Sequence, residues 1–522
     1  MHTIRFLLLT TKDDDRILEK RFRMLWHIHN QTVKYAQKQL HKLMCDRAYI
    51  DARKELSILK PEAEKLQKRL DEAEAQKKRV RRGERAKMKV MNKRLGKLAD
   101  IMNGRVEFFG LTQTGLESYV KVMQHRFKKH ISSQQAQKEA DRVYAGVQKV
   151  LYGNGKFVHL KKLDDQHSIS QKCATNGIKV DVENNTIDWL GLTIPFRMDK
   201  KDPYAVESVN HQLKYGEIVR LPFGGGWRYY INLYLDGDAP KKLSVAFGLT
   251  GIDPGVSTMA AVSEKAVSMK ELAPLSDRYN KEIARLQAHV DKEKRALNPD
   301  NYDRDGRVKK GRHNWVISNN CRHHQRRIRE LYRKKSASTE CSHNHQVNEL
   351  LVNNGNNFLV EDMTYTALQK RSQKPAERQE KATVVKDKNG KEKTVHKYKK
   401  KKRFGKSLND RSPALFITIL TRKAAQYGGQ VIKIDTRKFR ASQYHHDTGE
   451  YIKASLSDRW KTIDGHEIQR DLYSAFLISC SNPSGTAPDR DLCISLFEHF
   501  VTMHDAFIKA TMNEHHPACF GY

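Results

Sequence analysis

Cysteine is scarce and poorly placed: the chain has seven, none in a CxxC pair, and the total is odd. That argues against the disulfide framework of a small secreted domain and suits free thiols in a reducing cytoplasm. Long apolar runs are missing as well. Phe6-Leu7-Leu8-Leu9 is too short for a signal core and is followed at once by Asp13-Asp14-Asp15, and no stretch approaches the ~20 residues of a membrane span. A soluble cytoplasmic protein with no membrane partner is the expectation. Acids are the third shortage: 61 Asp and Glu stand against 97 Lys and Arg, a net charge of +36 over 522 residues. Self-repulsion of that size opposes compaction unless a polyanion neutralises it, so nucleic acid is the expected partner. The length allows several domains.

Three of the few acids occupy places where packing has no use for a charge. Asp253 lies in Leu249-Thr250-Gly251-Ile252-Asp253-Pro254-Gly255, an apolar strand that breaks at Pro-Gly and returns through Met259-Ala260-Ala261-Val262. Glu361 ends the apolar run Phe358-Leu359-Val360, as the tip of a second strand. Asp471 opens the apolar helical segment that runs from Leu472 to Ile478. The order of strand Asp, strand Glu and helix Asp resembles the RuvC arrangement of the ribonuclease-H fold, whereas DDE transposases place their Glu last. Three carboxylates converging there would hold two Mg²⁺ or Mn²⁺ ions, roughly 3.5–4 Å apart, that activate a water and stabilise the leaving oxygen of a phosphodiester. The plainer reading, a cap or a surface residue, stays open for any one of them alone. A histone-like or ribosomal protein would share the charge without needing the trio.

Along the chain, residues 3–10 read as a strand, and Leu18, Phe22, Leu25, Trp26 and His29 then follow at helical spacing. Leu56, Leu59, Ala63, Leu66, Leu70 and Ala73 mark a charged amphipathic helix. With the basic turn 77–83 it makes a helical hairpin to about Leu98, either a clamp on a duplex or a solvated coiled coil. More helix runs to 150. Segments 156–158, 178–182, 186–190, 217–221 and 227–235 are β-like and join residues 3–10 in a barrel that the helical insertion interrupts. Aromatics alternating with basic residues in 227–235 suit a platform for bases and phosphates, or packing across the barrel.

The catalytic fold begins at 249, and 265–353 is mostly helical. Arg326 and Arg327 belong to a basic face, 322–329, that suits phosphates. Cys341, His343 and His345 alternate along a helix with no fourth ligand near, so zinc is not expected there. Residues 370–409 are a basic insertion without a core, with a hairpin around Asn389-Gly390 and then Lys400, Lys401 and Arg403, either a guide for a strand or a plain basic loop. A helix over 415–425, the turn Tyr427-Gly428-Gly429, a strand over 430–435 and a polar insertion over 436–470 lead to Asp471. The tail beyond Asn482 includes one amphipathic helix, marked by Leu492, Ile494, Leu496, Phe497 and Phe500, and says little about chemistry.

Several of these motifs carry a family resemblance: Gly251-Ile252-Asp253-Pro254-Gly255, Val360-Glu361-Asp362-Met363, Lys423-Ala424-Ala425-Gln426-Tyr427-Gly428-Gly429, Ala441-Ser442-Gln443, Leu456-Ser457-Asp458-Arg459 and Arg470-Asp471. In their order the chain resembles the transposon-encoded TnpB nucleases and the compact type V CRISPR effectors, over roughly 249–480. The resemblance implies an RNA-guided DNA endonuclease, with a guide RNA that pairs with target double-stranded DNA. It implies Asp253, Glu361 and Asp471 as the catalytic, Mg²⁺-holding acids and Arg459 and Arg470 as phosphate neighbours.

It also implies a multidomain α+β chain. A wedge β-barrel (1–14 and 151–247) would carry an inserted helical recognition lobe (15–150). A RuvC-like α/β nuclease domain (248–435 and 471–482) would follow, with a target-nucleic-acid-binding insertion (436–470) and a tail (483–522). One departure is large. Where the family usually carries two CxxC knuckles this chain has His445, Thr448, Lys461 and Asp464, so no structural zinc is expected. Packing of Tyr444, Tyr451 and Trp460, or nucleic acid, would keep the insertion in shape. A catalytically idle RNA-guided DNA-binding regulator is the alternative, and a cut-and-paste transposase is disfavoured by the order of the acids.

Overall fold

The computed structural model describes all residues except 77–81, 224–225, 305, 370–381, 387–391, 397–403, 454, 456–457, 515, 517–519 and 522. It divides into two units, Met1–Pro240 and Lys241–Tyr522.

In the first unit β1 (His2–Leu8) buries Ile4, Phe6 and Leu8 and exposes Thr3 and Arg5, the two-residue period of a strand. Thr11 then caps α1 (Lys12–Met44) in a capping box with Asp14, and Asp13, Asp14 and Asp15 place negative charge on its N-terminal end. Leu18, Phe22 and Leu25 form its buried stripe. The helices α2 (Arg47–Ala75) and α3 (Arg82–Phe108) lie along one another, joined by a Glu55–Arg94 ion pair at 2.5 Å. The predicted stripe from Leu56 to Ala73 is the half-buried face of α2, with Ala63 fully covered. The basic turn expected between the two helices falls largely outside the described residues. The helices α4 (Gln113–Arg126) and α5 (Ser133–Tyr152) complete the insertion.

The chain returns to sheet through β2 (Ser168–Ser170), β3 (Ile178–Asp181), β4 (Thr186–Trp189) and β5 (Thr193–Arg197). After a short helix α6 (Pro203–Val209), β6 (Leu213–Phe223) and β7 (Gly226–Leu235) follow. The order is β2-β6-β7-β1-β5-β4-β3, antiparallel throughout. The sheet curls so far that a Cβ on Gly216 of β6 would stand 3.5 Å from Ile178 of β3.

One predicted strand is corrected: residues 156–158 join no ladder. They run beside α1, where Gln37 Nε2 donates to the Val158 carbonyl at 2.6 Å and Trp26 Nε1 to the Lys161 carbonyl at 2.7 Å. Polar helix side chains there do what a partner strand would do for the backbone. The tyrosines of β7 divide by parity. Tyr229 is buried 6.0 Å from the Phe22 ring, while Tyr230 and Tyr234 lie on the other face, Tyr234 stacked on Tyr215 at 4.3 Å.

A buried charge cluster holds α5 to α1. Glu139 accepts from His29 Nδ1 at 2.9 Å and from Gln166 Nε2 at 3.2 Å, pairs with Arg142, and has Lys161 Nζ 3.6 Å away. Burial alone would raise its pKa, but the His29 hydrogen bond and the Arg142 and Lys161 charges outweigh burial and hold it at about 2, against the ordinary 4.5. A depressed carboxylate contributes its stability above pH ~4.5 and loses it as pH falls toward ~2, an effect of about 3 kcal/mol. Glu139→Gln is therefore expected to lower the melting temperature at pH 7 and to flatten its dependence on pH between 4.5 and 2. Parallel acid titrations of wild type and variant read this directly, and curves of equal slope would refute it.

The second unit opens on β8 (Leu249–Pro254), β9 (Thr258–Ser263) and β10 (Val267–Glu271), an antiparallel meander. A hairpin of long helices, α7 (Ser276–Leu297) and α8 (Asn319–Asn353), leads to β11 (Asn357–Glu361), which pairs parallel to β8. Beyond α9 (Tyr365–Gln369), β12 (Ala382–Lys386) and β13 (Glu392–His396) form an antiparallel hairpin where one was expected. The helices α10 (Gly405–Arg411) and α11 (Pro413–Gln426) then lead to β14 (Val431–Ile434), parallel to β11. The sheet order is β10-β9-β8-β11-β14.

A four-residue helix α12 (Thr436–Phe439) and the hairpin β15 (Trp460–Ile463) and β16 (His466–Gln469) precede α13 (Arg470–Ser479) and α14 (Arg490–Thr511). Alternate strand residues sort the two faces. Ile252, Phe358 and Val360 pack with Val347 and Leu351 of α8 and Phe416 and Leu420 of α11. Ala260, Val262 and Leu359 pack with α13 and α14 on the other face. The amphipathic helix expected after Asn482 is α14, and it is part of the core, its Phe497 and Phe500 lying 6.1 and 4.5 Å from the ring of Phe476. Among the described residues no helix is long and apolar enough to cross a membrane.

Candidate active site

The sheet register brings two acids together. Leu359 pairs with Gly251 and Val360 with Ile252, so Glu361 and Asp253 are each the next residue along adjacent parallel strands. Strands lie ~4.8 Å apart and side chains alternate with period two, so both carboxylates share the face of Gly251 and Leu359, the one that α13 covers. The helix is seated by Gly251: a Cβ there would lie 2.2 Å from the Ala475 carbonyl oxygen and 2.3 Å from the Ser479 nitrogen. From that contact two residues along the strand advance about 6.6 Å to Asp253, and four residues back along the helix cover about 6 Å to Asp471. Asp471 thus arrives beside Asp253. Gln469 fixes the start of α13, its Oε1 accepting from Asp471 N at 2.7 Å and Leu472 N at 2.8 Å.

Charge crowding follows. Burial first, and then the charges of Glu361 and Asp471, push the Asp253 carboxyl well above the ordinary carboxylate value, with Arg470 offsetting part of the rise. Burial raises Glu361 to about 7. Arg470 is the counter-charge at hand: its Nε and Nη2 donate to Asp471 Oδ1 at 3.2 and 3.1 Å. Sequence reasoning missed Tyr365. Its hydroxyl is buried without a hydrogen-bond partner among the described residues, and burial together with the charges of Asp253 and Asp362 raises it to about 12. A tyrosine four residues past a strand-end Glu carries no distinguishing signal in the sequence.

The donors fit a hard divalent cation in kind: carboxylate oxygens, two of whose parent groups are starved of positive charge, and an orphaned hydroxyl beside them. As they stand, no three His, Cys, Asp or Glu side chains among the described residues are grouped to hold a metal ion.

The basic residues are dispersed. Arg326 is exposed on α8, while Arg327 pairs with Glu282 of α7 at 3.2 Å and Glu330 at 3.3 Å, holding the helical hairpin. Arg459 is half-buried, its carbonyl accepting from Arg470 N at 2.9 Å. Lys400, Lys401 and Arg403 lie outside the described residues. His343 is buried and its Nε2 donates to the Arg411 carbonyl at 2.9 Å, while Cys341 and His345 are exposed.

In the insertion Lys461 is buried and its Nζ donates to the Ser442 carbonyl at 2.9 Å; burial, then the charge of Arg470, lowers it to about 8. Asp464 occupies the β15–β16 turn in a left-handed conformation, and Thr448 Oγ1 accepts from Glu450 N at 3.3 Å. The backbone N–H of His445 donates to the Glu450 carbonyl at 2.9 Å. Phe439, Tyr444, Ile463 and Ile468 give the insertion an apolar core shared with α14.

Two solved structures align with most of the chain. One is a Cas12f1–sgRNA–target DNA complex, 12% identical, with a TM-score of 0.45 over 91% of this chain and 84% of that one. The other is a CRISPR-Cas12f ternary complex, also 12% identical, with a TM-score of 0.23 over 92% of this chain and 99% of that one. No protein-family model matches, and no curated protein matches. With overlaps this loose, the chemistry rests on the chain's own residues.

Proposed function

We propose that the chain is an RNA-guided DNA endonuclease with one RuvC-like site formed by Asp253, Glu361 and Asp471. The observation that carries the reading is the adjacency of Asp253 and Glu361 on one sheet face, both pushed toward protonation, with Asp471 of α13 near enough for its charge to act on Asp253. A structural role rarely collects buried like charges, whereas a hydrolytic site for phosphodiesters needs them. The 3-2-1-4-5 order of the five-stranded sheet, with only its first three strands antiparallel, supports a ribonuclease-H-like core. In this reading the first unit supplies the wedge barrel and the helical recognition lobe, and residues 436–470 contact the target.

The three carboxylates would hold two Mg²⁺ or Mn²⁺ ions, which when bound supply a nucleophilic water and charge stabilisation for the leaving oxygen. The Tyr365 hydroxyl, with no partner among the described residues, would donate to a phosphate oxygen or orient the water. Net charge +36 favours RNA as a resident partner. A second reading, an RNA-guided DNA binder with little cleavage, draws support from the ungrouped state of the acids among the described residues.

The purified protein is expected to carry a defined RNA and, with it, to cut matching DNA in Mg²⁺. Cleavage of a defined site by RNA-free protein would overturn guidance, and RNA-dependent binding without cleavage would favour the second reading. EDTA is expected to stop cleavage while leaving the melting temperature unchanged, and Mg²⁺ alone to restore it. The insertion has an apolar core and a lysine ammonium where a zinc site would need a ligand. Zinc lost together with the fold on chelation would refute that part.

A further inference from the structure

The Arg470 guanidinium holds two things at once. Besides its two hydrogen bonds to Asp471 Oδ1, its Nη1 donates to the backbone carbonyl of Asp458 at 2.9 Å and of Ser455 at 3.4 Å. One side chain thereby ties the backbone at Ser455 and Asp458 of the 436–470 insertion to the acid that the nuclease reading places on a metal. The ion pair is shielded, the two side chains being 12% and 19% exposed, so water and salt weaken it less than a surface pair. A guanidinium bonded to a carboxylate oxygen competes with a divalent ion for that oxygen and repels the ion.

We propose that Arg470 is a positioning residue that keeps Asp471 off the metal site until a nucleic-acid phosphate draws the guanidinium away. The inference rests on the carboxylate-site reading above and adds a condition to it: metal is taken fully only with nucleic acid in place. Phosphate is the fitting competitor, because it offers a guanidinium the same forked pair of acceptor oxygens that a carboxylate does. Asp471, once released, turns to the ions that Asp253 and Glu361 attract.

The test is Mn²⁺ titration of the full chain, freed of RNA, with free Mn²⁺ followed by electron paramagnetic resonance and folding checked by melting curves. Arg470→Gln is expected to bind Mn²⁺ about tenfold tighter than wild type, since a unit charge beside the site is gone. Arg470→Lys keeps the charge without the fork and falls between the two. Adding Asp471→Asn to Arg470→Gln removes the gain. A short oligothymidylate brings wild type to the Arg470→Gln affinity.

Arg470→Gln that binds Mn²⁺ no tighter than wild type, while Asp253→Asn abolishes binding in both, removes the latch and leaves the site reading standing. Mn²⁺ binding that ignores Asp253, or none in any variant, overturns both. Should Arg470→Gln fail to fold, Arg470→Lys and the oligothymidylate titration of wild type decide the matter: no shift in either refutes the latch.

Discussion

Asp253→Asn, Glu361→Gln and Asp471→Asn proteins are each expected to bind RNA and matching DNA as wild type does and to cut the DNA about 10³-fold more slowly or not at all. The three acids would serve the same ions, so losing one disables the set, and their effects do not add. Asp253 and Glu361 lie on the sheet face under α13 and Asp471 at the start of that helix, so contacts to nucleic acid elsewhere survive. Stability separates the three. Burial and the charges of Glu361 and Asp471 raise Asp253, and burial raises Glu361, so neutralising either removes an unfavourable buried charge and raises the melting temperature slightly. Asp471 pairs with Arg470 at 3.1 Å, and neutralising it deprives that shielded guanidinium of a charged partner, which lowers the melting temperature. Gel cleavage, filter binding and calorimetry on one set of proteins read all of this. A variant that still cuts at the wild-type rate refutes that residue's role, and one that loses binding assigns its residue to nucleic acid.

The acids were legible because each interrupts an apolar run: Asp253 before Pro-Gly, Glu361 after Phe358-Leu359-Val360, Asp471 before Leu472. Their meeting was not legible, since it depends on the pairing of Val360 with Ile252 and on the seat of α13, both set by segments more than a hundred residues apart. Local pattern failed where a residue's type hid its role. Pro195 sits inside β5, which a sequence reader discounts as a strand. Residues 156–158 look like a strand, yet the Val158 carbonyl is claimed by a side chain of α1, which no strand periodicity foreshadows. Basic residues carry no address at all: Arg326 and Arg327 are neighbours in a charged run, and only the fold turns one to solvent and the other to Glu282. In α14 the apolar spacing was visible, but what it covers was not.

Gly251→Ala is expected to be strongly disruptive for the addition of a single methyl group. The added carbon would sit 2.2 Å from the Ala475 carbonyl oxygen and 2.3 Å from the Ser479 nitrogen, both backbone atoms of α13 that no rotamer change can move aside. Either β8 or α13 must shift by about an ångström, and β8 is hydrogen-bonded on both sides, to β9 and β11. The helix yields. Overpacking of this kind costs about 3 kcal/mol, at the upper end for an inserted methyl because both opposing atoms are backbone. A loss of that size lowers the melting temperature of a unit this large by roughly 6–12 °C. A helix lifted at Ala475 also carries Asp471 away from Asp253, so cleavage falls further than the lost stability alone predicts, and the shortfall persists at temperatures where the protein is fully folded. Gly96→Ala is the control: Gly96 lies in α3 with nothing within 4 Å of where the added methyl would stand, and there the same change is neutral or stabilises by about 0.5–1 kcal/mol. Equal melting temperatures and equal cleavage rates for Gly251→Ala and wild type would mean that α13 does not rest on β8 as described, and with that the meeting of Asp253 and Asp471 would lose its geometric basis.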